Sequence, residues 1–213
     1  MQQTVDDEGW VDYESLHKNP EKLEAYLDLL RENHPSEEWT EEEKLAYWIN
    51  AYNAFTLDLI VRNYPLESIK DIRRWSLPFL NSAWDIKFIE IQNEKYSLNN
   101  IEHDIIRATF DEPRIHFAVN CASYSCPPLL NVAYEASTLD VQLEQQAIGF
   151  VNDPLRNKIS NDKIELSKIF SWYKSDFTES GTLIDYLNQF SEIEIEKGTE
   201  TEFIPYDWSL NIQ

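Results

Sequence analysis

The chain has 213 residues, of which 42% are hydrophobic and 13% aromatic, enough for a single domain to bury one core. Its 39 acidic residues against 18 basic ones give a formal charge of -21, which repels phosphate backbones and anionic membranes and excludes nucleic acid as a partner. No apolar run approaches the roughly 18 residues needed to cross a bilayer, so no membrane insertion is expected, and the protein is expected to be soluble, either cytoplasmic or exported with its signal removed. The four glycines lie far apart, no phosphate-cradling loop can be written, and no cofactor is expected.

Residues 1–39 read as an acidic N-terminal segment with one amphipathic helix, Glu21 to Glu32, whose Leu23, Tyr26, Leu27 and Leu30 share a face. His17 and His34 flank it and are given no role. Residues 40–213 read as one domain organised around a helix from Thr40 to Tyr64. Thr40 and Glu43 form a capping box, and three successive glutamates suit the positive end of the helix dipole. Leu45, Trp48, Ile49, Tyr52, Phe55, Thr56, Leu59 and Ile60 make a wide apolar stripe, while the other side carries Ala46, Asn50, Asn53, Ala54, Leu57 and Val61. So little polar surface predicts an enclosed helix. Asn50 and Asn53 then need partners, and they either tie down a neighbouring loop or face a ligand.

After Tyr64-Pro65 comes an aromatic stretch with the adjacent pair Arg73-Arg74, Trp75 and Trp84. A hairpin is predicted around Gln92-Asn93-Glu94, then a helix from about Leu98 to Phe110 with Glu102 within its apolar stripe and His103 at the edge. The alternation of Arg114-Ile115-His116-Phe117-Ala118-Val119-Asn120 predicts a strand that delivers the loop Cys121 to Pro128. A helix capped by Ser137 or Thr138 through Val151, a hairpin across Asn161-Asp162, and short helices at 167–173 and 182–190 follow. The fold class is α+β, a central buried helix packed against a small, mainly antiparallel sheet.

The blocks YWINAYNAFTL (47–57), NIEHDIIR (100–107) and RIHFAVNCASYSCPPL (114–129) resemble the signature blocks of the DUF547 family, a domain of unknown function found in bacteria and plants. The resemblance implies a loose kinship with the papain and transglutaminase kind of thiol-enzyme fold, in which a nucleophilic cysteine begins a buried central helix. Here that helix contains no cysteine.

Glu102, His103, His116, Cys121, Ser123 and Cys126 fall within 25 positions. A thiol-dependent hydrolase or acyl transferase acting on amide or thioester bonds would use Cys121 as nucleophile, His103 or His116 as base, and Glu102 or Asn50 to orient it. Backbone amides of the loop would stabilise an oxyanion, and Asn50, Asn53, Tyr47 and Ser123 would contact substrate. Three other readings stay open. The cysteines are packing residues or a local disulfide; the two cysteines and two histidines hold zinc, although their spacing is poor for it; or a cleft with Tyr47, Asn50 and Trp75 binds a peptide or small molecule without turnover. The sequence leaves the oligomeric state open.

Overall fold

A computed structural model describes residues 3–72, 82–160 and 163–213. Arg73, Arg74 and Trp75 lie outside the described residues, as does the Asn161-Asp162 turn.

Three helices open the chain: α1 (Tyr13–Lys18), α2 (Glu21–Glu32) and α3 (Glu41–Asn63). The capping box forms in both directions. The Glu43 amide donates to the Thr40 hydroxyl at 3.2 Å, and the Thr40 amide donates to the Glu43 carboxylate at 2.7 Å. From Leu45 to Val61 nearly every residue of α3 is buried, so the enclosure its composition predicts is present. α1 and α2 cover one side. On another lies the antiparallel hairpin β1 (Ile89–Ile91) and β2 (Glu94–Tyr96), paired Ile89 to Tyr96 and Ile91 to Glu94. Gln92 and Asn93 turn it with φ of 55° and 64°, the left-handed pair that a tight two-residue hairpin requires. Phe88 and Tyr96 set their rings edge-on to Phe55 and Trp48 of α3. Val5, Val11 and Tyr13 from the N-terminal segment join the same apolar cluster.

The chain next forms a helical stretch whose residues Asn100–Ile106 are a π-helix, closed by the α-helical turn α4 (Arg107–Thr109). The predicted strand at 114–120 is corrected: Pro113–Phe117 is a 3-10 helix followed by irregular chain. Its alternation is misleading, because residues 115–120 are buried on every side. Side-chain amides satisfy the backbone that a neighbouring strand would have satisfied. Gln146 donates to the Phe117 carbonyl at 3.3 Å, and Asn53 donates to the Ala118 carbonyl at 2.9 Å while accepting from the Asn120 amide at 2.8 Å.

The second half holds α5 (Leu139–Val151), α6 (Ile169–Trp172), α7 (Lys174–Phe177) and α8 (Leu183–Leu187). A three-stranded sheet pairs β3 (Lys158–Ile159) antiparallel to β4 (Lys163–Leu166), and β4 parallel to β5 (Glu200–Phe203), a strand that the sequence pattern did not announce. Phe117, Phe150, Phe170 and Phe177 interlock here with ring centroids 5.1–6.0 Å apart, forming a second core cluster. The protein is therefore α+β, with α3 enclosed by helices, a hairpin and loops. No helix among the described residues is long and apolar enough to cross a membrane.

Candidate functional site

Between the two core clusters lies a cavity of about 250 Å³, and its lining includes Glu102, His103, His116, Cys121 and Cys126. Three separate stretches of chain bring these groups together.

The π-helical stretch turns Glu102 inward, leaving it 5% exposed, with Ile101 and Ile106 buried beside it. A wide turn of this kind is rare and recurs where a helix must present side chains to a site. The Tyr173 hydroxyl donates to Glu102 Oε1 at 2.5 Å. Burial first, and then the charge of Glu102, push the phenols of Tyr173 and of Tyr52 on α3 far above their ordinary range. Glu102 is thus an acceptor facing two phenols that stay protonated. His103 sits one residue further round, where its Nδ1 accepts from Arg107 at 3.1 Å.

His116 is 2% exposed and stacks on Tyr173, with ring centroids 3.9 Å apart. Its Nε2 lies 2.8 Å from Asp176 Oδ2. Asp176 is itself held by two parallel hydrogen bonds from one edge of the Arg107 guanidinium, Nε at 2.7 Å and Nη2 at 2.8 Å. Hydrogen bonds from His116 and Arg107 hold the Asp176 carboxyl well below the usual carboxylate range, so it only accepts. Burial lowers the His116 pKa below the ordinary imidazole value, outweighing the bond to Asp176. The ring is therefore neutral near pH 7, Nε2 carries its proton toward Asp176, and Nδ1 keeps a free lone pair. That Nδ1 is buried and has no hydrogen-bond partner among the described residues.

The loop after residue 120 is closed by Asn120, whose side chain accepts from the Ala122 amide and donates to the Pro127 carbonyl, both at 2.8 Å. Ala122 adopts φ of 61°, a left-handed conformation that this closure holds in place. Cys121 and Cys126 are joined as a disulfide. The Ser123 side chain is sealed behind it, 3.3 Å from both sulfurs. The C-terminal segment runs back across the loop through a bridge between Ser123 and Leu210. It places Tyr206 and Trp208 on the cavity wall, packed with Trp84 and Trp172.

Of the residues the sequence proposed, Glu102, His103, His116 and Cys121 share this cavity, but neither imidazole is hydrogen-bonded to the Cys121 sulfur. Asn50, Asn53 and Tyr47 are absent from its lining. Asn50 pairs with both backbone groups of Tyr134, Asn53 holds residues 118 and 120, and the Tyr47 hydroxyl donates to the Leu30 carbonyl. The loop amides expected to form an oxyanion site are engaged elsewhere: those of Cys121, Ala122, Tyr124, Ser125 and Cys126 all donate within the protein. Among the described residues no three His, Cys, Asp or Glu side chains gather as metal ligands.

Arg107, Tyr173, Asp176 and Tyr206 escaped the sequence reading. Only Arg107 carried a local signal, at four residues from His103 on one helical face. The other three stand 57 to 90 positions away from His116 and occupy segments whose helical or acidic patterns look ordinary.

The family model described as "Protein of unknown function, DUF547" matches residues 36–151. No curated protein and no solved structure matches the chain.

Proposed function

The chain belongs to the DUF547 family, and from that premise we propose that its cavity is the active site of a hydrolase or acyl transferase in which His116 is the general base. One observation carries this reading: a neutral, buried imidazole has one nitrogen committed to an ionised Asp176 and the other unpartnered. An unpaired buried acceptor costs on the order of 1–3 kcal/mol, and a substrate or water donating a proton to Nδ1 would recover it. Asp176 fixes the tautomer and stabilises the imidazolium formed when Nδ1 takes the proton, while Arg107 keeps Asp176 charged and in place. The Tyr206 phenol, raised above its ordinary range chiefly by burial, stays protonated on the same wall, where it donates to Cys126 Sγ. The aromatic lining suits a small, largely apolar acyl group.

With the sulfurs joined, the nucleophile that His116 activates is water or a hydroxyl or amine of the acceptor. Opening the disulfide would offer the Cys121 thiol instead, and the same assay separates the two. Purified protein is presented with phenyl thioacetate, p-nitrophenyl acetate and acetanilide, with and without dithiothreitol. Turnover is expected, with His116→Gln losing at least about 10²-fold and Asp176→Asn reduced while both retain the wild-type circular dichroism spectrum. Activity that appears only with reductant assigns the nucleophile to Cys121. Turnover by His116→Gln equal to wild type, or none by wild type on any of the three bond types, would overturn the proposal.

A further inference from the structure

The two sulfurs of the disulfide stand in unequal surroundings. Cys126 is 2% exposed, and three donors surround its Sγ: the Cys121 amide at 3.0 Å, the Tyr206 hydroxyl at 3.2 Å and the Ser123 hydroxyl at 3.3 Å. Cys121 is only partly buried, and both cysteines line the cavity. Its Sγ has the same two hydroxyls at 3.3 and 3.5 Å but no backbone amide. The bridge is also redundant as a staple. It spans five positions of a loop that Asn120 already closes onto Ala122 and Pro127, and that the Cys126 amide closes again onto the Ser123 carbonyl at 3.0 Å. Cross-links stabilise more as the loop they close lengthens, so this one adds little that the hydrogen bonds do not supply.

A partly buried cysteine joined to a fully buried one whose sulfur is ringed by donors is the arrangement that directs thiol exchange, because the leaving sulfur is the one better stabilised as a thiolate. We propose that Cys121–Cys126 is a thiol–disulfide exchange centre that takes a low-mass thiol in the cavity, an activity separate from the acid–base chemistry of His116. The entering thiolate attacks Cys121 Sγ. The bond between the cysteines breaks, its electron pair passes to Cys126 Sγ, and the Cys121 amide with the Tyr206 or Ser123 hydroxyl receives that charge. The product is a mixed disulfide on Cys121. A second thiolate then attacks the sulfur of the bound thiol, releasing the small-molecule disulfide and leaving both cysteines reduced. Two thiols have been oxidised and one protein disulfide reduced. Attack at Cys126 instead would require a buried sulfur to be reached and would expel Cys121 without the amide.

The oxidised full-length protein is incubated with 2-mercaptoethanol or reduced glutathione, quenched in acid, and the adduct located by tandem mass spectrometry. The expected result is a mixed disulfide on Cys121 alone, formed under native conditions. Tyr206→Phe and Ser123→Ala are each expected to slow opening by about tenfold, as a thiolate loses a charge-assisted hydrogen bond. In Cys121→Ala the Cys126 thiol should ionise below the roughly 8.5 of a free cysteine. A bridge that opens only when the protein unfolds, an adduct on Cys126, or opening at wild-type rate in both hydroxyl variants would overturn the proposal.

Discussion

Asn53 is the side chain that ties the central helix to the loop carrying the chemistry, and replacing it tests whether the site depends on that tie. In Asn53→Ala two buried backbone groups lose their partner, the Ala118 carbonyl and the Asn120 amide, which the native amide meets at 2.9 and 2.8 Å. Asn53 is 4% exposed, so water does not replace it without rearrangement. At roughly 1–3 kcal/mol for each orphaned group, the loss comes to roughly 2–6 kcal/mol. For a chain of this length that lowers Tm by on the order of 10 °C. The assay is urea unfolding followed by tryptophan fluorescence, with the midpoint falling and the slope unchanged. Asn53→Asp adds a sign. Its carboxylate still accepts from the Asn120 amide but opposes the Ala118 carbonyl until it is protonated, so its folded pKa rises above the unfolded value of about 3.9. The folded state then binds the extra proton, and the penalty shrinks as pH falls through the folded pKa. A loss below about 1 kcal/mol in Asn53→Ala, the worth of a single ordinary hydrogen bond, would refute the view that this side chain holds the loop.

Burial depresses the His116 pKa, so the unfolded chain takes up a proton below about 6.5 that the folded protein refuses. This contribution should be absent above that pH and remove up to roughly 1.4 kcal/mol of stability per pH unit below it, until the folded pKa is reached. Urea midpoints at pH 7.5 and 5.5 should differ in wild type and converge in His116→Gln. Asp176, whose folded pKa is lowered, acts in a separate window, contributing above about pH 4 and losing that contribution in stronger acid. For Glu102, the Ala variant should cost roughly 1–3 kcal/mol by stranding the Tyr173 hydroxyl, and the Gln variant clearly less because it retains an acceptor. Equal losses in the two would mean that the phenol is not held by this carboxylate.

Local rules fixed the parts of this protein whose partners lie nearby in the chain. Thr40 and Glu43 announced the start of α3, the shortage of polar residues on α3 announced its enclosure, and Gln92-Asn93 announced a hairpin, because each depends on contacts a few residues apart. Helical periodicity also turned Glu102 inward, where it lines one cavity with His103, His116 and Cys121. It failed at 114–120, where alternation imitates a strand although all the faces of residues 115–120 are buried, and where the backbone partners are side chains from positions 53 and 146. Only the tertiary structure decided which base has a free lone pair and which sulfur is shielded. Those properties come from Asp176, Tyr173 and Tyr206, whose segments pack with the second core, and no periodicity in the chain encodes that approach.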